Sequence, residues 1–279
     1  MSGLAATVVA VGSIALAGAY LALRRFRQLD RLLADSKSQL EHLQRQFERF
    51  VPGDVVEQLT DQHAAFRPQR LRATMLFADL RDFTALCDHL DASLTVTMLN
   101  GYFERMSRAI ADHHGHLTEV VGDGLLALFG AVEPNPWQGR DAVLAALAMR
   151  AALSEYNAQL RVRALPELRF GIGIHSGEVV CGVMGAGELC KFGVTGDPIN
   201  VASRVEGLTR EHGVDLLITE EIRRMLEDGF RLRPMPASHV KGKVDAVQTY
   251  YVEGLEPLTA ERQASRRTGA EPVTGRETG

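Results

Sequence analysis

The chain is poor in cysteine. It has three in 279 residues, Cys87, Cys181 and Cys190, with no close pair and no CxxC spacing. That pattern excludes a disulfide framework and a cysteine zinc site, and it suits a reducing compartment. An excess of positive charge is missing too. The net charge of −4 argues against general nucleic-acid binding. No internal repeat is present, and residues 24–70 are too few for a separate sensor domain. Any input must therefore come through the N-terminal helical segments, small molecules or partners. The stretch Gly182, Val183, Met184, Gly185, Ala186, Gly187 lacks the Lys-Ser/Thr ending of a phosphate loop and reads as a hairpin.

What is present allows one or two domains with a sizeable core, since 46% of the residues are hydrophobic. Residues 4–23 are 20 positions without a charge, long enough to span a bilayer. Arg24, Arg25 and Arg27 follow, so the positive-inside rule keeps the rest of the chain in the cytoplasm, anchored to the inner or plasma membrane by a single pass. A cleaved signal peptide is the rival reading. Ala17, Gly18 and Ala19 imitate a cleavage site, but a basic n-region is absent. Leu29, Leu33, Ser36, Leu40, Leu43, Phe47 and Phe50 recur in steps of four and three, a heptad seam with one polar break. It suits a parallel dimeric coiled coil, or else an amphipathic helix docked on its own domain. Pro52 and Gly53 end it. The expected organisation is an anchor at 1–26, a coiled-coil helix at 27–52, a linker at 53–69, a domain at 70–255 and a disordered, apolar-poor tail at 256–279.

Within the domain, periodicity predicts strands at 71–79, 116–121, 125–130, 168–175, 178–184, 190–195 and 214–219, with further strands near 230–234 and 247–253. Helices are expected at 91–112, 138–160, 197–211 and 220–227. Strands and helices alternate irregularly, with hairpins included, which makes an α+β layer of helices on a mostly antiparallel sheet. Two carboxylates stand out. Asp79 closes the apolar run that starts at Thr74, and Asp123 sits in the tight turn Gly122, Asp123, Gly124 between two apolar runs. If those strands are neighbours, both acids project at one sheet edge, a hard-oxygen site for Mg²⁺ or Mn²⁺. Taken singly, each could be a solvated turn residue.

Four motifs change that balance. They are Phe77-Ala78-Asp79-Leu80-Arg81-Asp82-Phe83-Thr84; Gly122-Asp123-Gly124-Leu125-Leu126-Ala127-Leu128-Phe129-Gly130; Phe170-Gly171-Ile172-Gly173-Ile174-His175-Ser176-Gly177; and Gly196-Asp197-Pro198-Ile199-Asn200-Val201-Ala202-Ser203-Arg204. In this order they resemble the class III nucleotide cyclases, from about Arg70 to Gly254. Asp82 is a departure, because the family commonly has Gly there.

The resemblance implies a ferredoxin-like core and conversion of a nucleoside triphosphate to its 3′,5′-cyclic form plus pyrophosphate. It implies two Mg²⁺ or Mn²⁺ per site, bridged by Asp79 and Asp123 with the carbonyl of Leu80. It implies that the amides of Phe83 and Thr84 cradle phosphate, that Asn200 orients the ribose and Arg204 holds the α-phosphate, and that Lys241 and Lys243 reach the terminal phosphates. The two lysines could equally belong to an exposed charged hairpin. It further implies a head-to-tail homodimer, in which the acids of one subunit face Asn200 and Arg204 of the other. Glu119 and Gly193 occupy the positions that read the purine. Adenylate cyclases usually carry Lys at the first, whereas Glu accepts from guanine, so the pair favours GTP over ATP. A single-anchor bacterial-type chain, by contrast, is more often an adenylate cyclase. A silent cyclase-like module is the competing class, and all four of Asp79, Asp123, Asn200 and Arg204 stand against it. A diguanylate cyclase is excluded by the absence of a Gly-Gly-Asp/Glu-Glu-Phe signature.

Overall fold

The computed structural model describes residues 68–87, 90–184, 191–237 and 246–256. The chain divides at Thr60 into two compact units, and every described residue belongs to the second. The expected anchor at 4–23, the coiled coil at 29–50, the tail, Lys241 and Lys243 all lie outside the described residues. Among those described, no helix is long and apolar enough to cross a membrane.

An eight-stranded sheet carries the domain. Its strands are β1 (Gln69–Leu80), β2 (Gly115–Val121), β3 (Gly124–Phe129), β4 (Phe170–Met184), β5 (Lys191–Thr195), β6 (Leu216–Thr219), β7 (Phe230–Pro234) and β8 (Thr249–Leu255). They run in the order β2-β3-β1-β4-β6-β8-β7, with β5 paired to the far end of β4. Among the described residues every strand pairing is antiparallel except β4 with β6. This agrees with the expected mostly antiparallel sheet.

Helices α1 (Phe83–Cys87), α2 (Ala92–Ala111), α3 (Gln138–Val162), α4 (Asp197–Glu211) and α5 (Glu220–Arg223) complete the order. Asp91 caps α2 by accepting from the amides of Ser93 and Leu94, at 2.9 and 3.3 Å. Leu76, Ala78 and Leu80 of β1 and Ile172 and Ile174 of β4 share the main core with Met98, Tyr102, Met106, Val143, Met149 and Leu153 of α2 and α3. A smaller core, Val201, Val205, Leu208, Val214 and Leu217, seats α4.

Glycines decide how α4 sits. Gly171, Gly173 and Gly177 recur at alternate positions on β4, so they face the same way. A Cβ on Gly173 would overlap the backbone nitrogen of Glu206 and lie 2.5 Å from the carbonyl oxygen of Ala202. A Cβ on Gly177 would lie 2.5 Å from Cγ of Pro198. The helix backbone therefore rests directly on the strand, its start near Gly177 and its later turns near Gly171.

Three expectations need correction. Strands 168–175 and 178–184 are one strand: Ser176 and Gly177 pair with Thr74 and Ala73, because β1 is long enough to supply partners throughout. Helix α1 adds a range, Phe83–Cys87, that the expected helices did not include, although Phe83 and Thr84 do stand at a helix start, and α5 stops at Arg223 rather than residue 227. β4 and β5 pair antiparallel, and residues 185–187 of the stretch read as a hairpin lie outside the described residues.

Candidate active site

The register brings the two acids together. Ala78 pairs with Leu125, so Asp79, one residue before the end of β1, lies beside Gly124, which directly follows Asp123. A Cβ on Gly124 would lie 3.1 Å from Oδ1 of Asp79. Glycine at 124 thus leaves room for the Asp79 carboxylate against the Asp123 turn. Both acids are half-buried. Burial pushes the Asp79 carboxyl above its usual range, and repulsion from Asp123 adds to it. Arg210 and the amide of Leu80 pull the other way. Two adjacent carboxylates suit a hard divalent cation, which removes the repulsion. Among the described residues no group of three or more His, Cys, Asp or Glu could hold a metal.

Asp82 follows in the left-handed region, at φ 56°. Aspartate tolerates that conformation better than most residues, and glycine adopts it freely. The family's usual glycine and this chain's aspartate thus meet one backbone demand. The Asp82 carboxylate also reaches Arg169 at 3.5 Å and Arg210 at 3.8 Å. Phe83 is buried in the core and Thr84 is exposed at the start of α1.

Asn200 is exposed and Arg204 half-buried, one turn apart on α4. One guanidinium nitrogen of Arg204, Nη1, is buried without a hydrogen-bond partner. Glu119 is half-buried on β2, next to a register shift, and pairs with Leu126. Leu126 faces Phe77, and Phe77 faces Gly173. Gly193 is buried on β5 opposite Gly182, much further along β4. Within one chain the two purine-reading candidates therefore stand at different levels of the sheet.

One residue near the acids escaped the sequence reading. Gly171 is the cross-strand partner of Asp79, and a Cβ there would overlap Glu206 Oε1 and Thr209 Oγ1. Glu206 thus places its carboxylate over Gly171, beside Asp79. Burial pushes this carboxyl up to about 7, and Asp79 adds to the rise, while Arg81 and Arg210 oppose it. The available signal was its spacing. Glu206 lies one turn after Ala202 and beside Val205, and it shares the side over Gly171 with Thr209. Beneath the acids, the Tyr102 hydroxyl is buried without a partner, and burial with nearby Asp79, Asp123 and Glu206 keeps it a neutral phenol.

This gives a pH dependence. The folded Glu206 carboxyl binds its proton more tightly than the unfolded one, whose value is 4.5. Its contribution to stability is full below pH 4.5 and is lost as pH rises towards 7. The raised Asp79 acts in the same sense. Glu221, held down to about 2 chiefly by its hydrogen bond with His175, matters only at lower pH. With chelator present, the urea midpoint should be higher at pH 5 than at pH 7.5, and Glu206→Gln should reduce the difference. An unchanged difference in that variant would show that Glu206 is not the titrating group.

The sheet thus sets two adjacent acids at the neighbouring ends of β1 and β3 and seats α4, which carries Asn200 and Arg204, on β4. Residues 67–254 match the family described as the adenylate and guanylate cyclase catalytic domain, and the chain belongs to that family. It is 31% identical over 211 residues to adenylate cyclase 1 of Rhizobium meliloti, covering 75% of this chain and 32% of that protein. It is 34% identical over 218 residues to an adenylate cyclase of Anabaena cylindrica, covering 74% and 42% respectively. The chain therefore spans less than half the length of these curated relatives. The crystal structure of the guanylyl cyclase Cya2 superposes with a TM-score of 0.65 at 32% identity, covering 69% of this chain and 97% of that one.

Proposed function

We propose that this chain is a membrane-anchored purine nucleotide cyclase that works as a homodimer with two shared sites. The observation that carries the reading is the Asp79 carboxylate lying against Gly124, beside Asp123. The substrate's ribose 3′-oxygen attacks the α-phosphorus, loses its proton and expels pyrophosphate. Asp79, Asp123 and the Leu80 carbonyl would hold two Mg²⁺ or Mn²⁺, whose charge offsets the triphosphate and acidifies the 3′-hydroxyl. Asn200 orients the ribose. Arg204 holds the α-phosphate as charge builds there, and its unpartnered Nη1 is a donor still to be used. Phe83 and Thr84 offer amides to phosphate, and Lys241 and Lys243 supply charge at its far end.

The lie of α4 supports the shared site. Glu206, not Asn200, stands level with Asp79. Asn200 is six residues earlier, about 9 Å along the helix axis at 1.5 Å per residue, towards Gly177. A second subunit brings Asn200 and Arg204 to the acids. The 4–23 segment would anchor the pair in the inner or plasma membrane with the domain cytoplasmic, and the coiled coil would hold two domains at high effective concentration.

GTP is the favoured substrate, since Glu119 accepts from the N1–H and amino group of guanine while Gly193 offers adenine no acceptor. ATP is the alternative, favoured by the similarity to the adenylate cyclases of Rhizobium meliloti and Anabaena cylindrica. Assaying the full chain with each of four nucleoside triphosphates and Mn²⁺ decides. Cyclic nucleotide and pyrophosphate should appear in equal amounts, with kcat/KM for GTP above that for ATP by roughly 5- to 150-fold, the worth of one mispaired buried acceptor. Glu119→Lys with Gly193→Asp should shift preference towards ATP. A clear ATP preference in the unaltered chain would mean that Glu119 does not face the base. No product with any nucleotide would sink the cyclase reading.

A further inference from the structure

Helix α3 and the starts of β4 and β6 border an open cavity of about 580 Å³. Asp79, Asp123, Asn200 and Arg204 are not among its lining residues. Four arginines are: Arg81, Arg150, Arg161 and Arg169. Three carboxylates share the wall, and each already has a cation. Arg150 holds Asp215 through two hydrogen bonds, at 2.7 and 2.8 Å. Arg161 holds Glu167 at 2.8 Å. Glu253 is met at 3.5 Å by Arg233, which does not line the cavity.

Arg81 and Arg169 are left over. Arg81 donates from Nη2 to the carbonyl of Val214, and its Nε is buried without a hydrogen-bond partner. Arg169 meets Asp82 at 3.5 Å, with both side chains mostly exposed, where an ion pair is worth little. Asp82 is shared with Arg210 besides. The two arginines are also tied together. The amide of Arg81 donates to the carbonyl of Arg169 at 2.7 Å, and the charge of Arg169 bears on Arg81. Two like charges are thus set at one wall by the backbone, without a counter-ion that serves both. Because the fold has already brought them together, an anion bound there does not have to order them.

We propose that this cavity is a binding site for a small phosphorylated molecule, whose phosphate group lies between Arg81 and Arg169. A phosphate monoester carries close to two negative charges and three acceptor oxygens, enough for two guanidinium groups. A carboxylate has one charge and satisfies one. The cavity is larger than a phosphate group and is walled in part by Leu153, Leu168, Phe170 and Val214, so it has room for an apolar organic part. The site stands apart from the acids, and the inference does not depend on the cyclase reading.

Calorimetry on the full chain, freed of divalent metal and without nucleotide, tests this. Phenyl phosphate is the probe, at pH 8 and low salt, with inorganic phosphate and benzoate beside it. One phenyl phosphate should bind per chain, more tightly than either of the others. Arg169→Gln should weaken it by about 10- to 150-fold, the worth of a charged hydrogen bond. The Arg169 side chain is 73% exposed, so this change is compatible with folding. Arg204→Ala should leave the affinity unchanged within about twofold. No binding, or binding indifferent to Arg169→Gln, would overturn the proposal. Loss of binding in Arg204→Ala would overturn it by placing the anion in the cyclase site. Benzoate bound as tightly as phenyl phosphate would overturn the choice of a phosphate group, and inorganic phosphate bound as tightly would overturn the organic ligand in favour of the free ion.

Discussion

Alanine at Asp79 or at Asp123 should cut turnover by about 10³-fold or more, by the magnitude typical of lost electrostatic stabilisation. Each change removes one of two adjacent carboxylates, and among the described residues no group of three or more His, Cys, Asp or Glu could hold a metal in their stead. The fold should survive. Asp79 is only half-buried, and its carboxyl is pushed up by burial and by Asp123, so without a cation the pair costs stability rather than adding it. The thermal midpoint of metal-free Asp79→Ala should therefore equal or exceed that of the unaltered chain. Near-normal turnover in either variant would remove the basis for the two-metal site. A large drop in midpoint would show that the acids hold the β1 edge together instead.

Mixing two inactive chains, Asp79→Ala and Arg204→Ala, should restore activity. Each heterodimer contains one site with both lesions and one with neither. Random pairing makes about half the dimers mixed, so recovery of about a quarter of normal turnover is expected from the symmetry of a two-fold assembly. The lie of α4 is the reason to expect it, since the helix starts near Gly177 and only its later turns reach Gly171 beside Asp79. Measured turnover of the mixture, set beside the heterodimer fraction from mass spectrometry, gives the answer. A dead mixture that contains heterodimer would mean that each chain builds its site alone.

The acid pair was legible because two local signals coincide. An apolar run ends in Asp79, and a Gly-Asp-Gly turn sits between two others. Their adjacency needed only β1 and β3 to be neighbours, which the Ala78–Leu125 pairing satisfies. Asn200 and Arg204 were legible as a helical pair after Gly196 and Pro198. The continuity of β4 was hidden, because Ser176 and Gly177 read as a turn. Ser176 is instead buried, and its hydroxyl donates to the carbonyl of Ala73 at 3.2 Å. Asp82 read as a departure from the family's usual Gly, whereas its left-handed backbone conformation is one that both residues adopt. Glu206 was hidden for a further reason. A glutamate on a helix is ordinarily solvated, and only the missing side chain of Gly171, thirty-five positions earlier in the chain, makes room for it.

The central place of β1 also bears on how the molecule is made. This strand is synthesised first, yet it is flanked on both sides by strands made later. Leu76 pairs with Ala127 on one edge and with Ile174 on the other. At about 5–20 residues per second, the ribosome needs roughly 5–20 s to travel from Leu76 to Ile174. For that interval Met75, Leu76, Phe77 and Ala78 have an unpaired edge and no finished core to enter. Such long-range pairing is slow to form and exposes a sticky segment meanwhile. Yield of intact protein from a cell should consequently depend on chaperone supply and growth temperature more than the equilibrium stability of the finished domain would suggest.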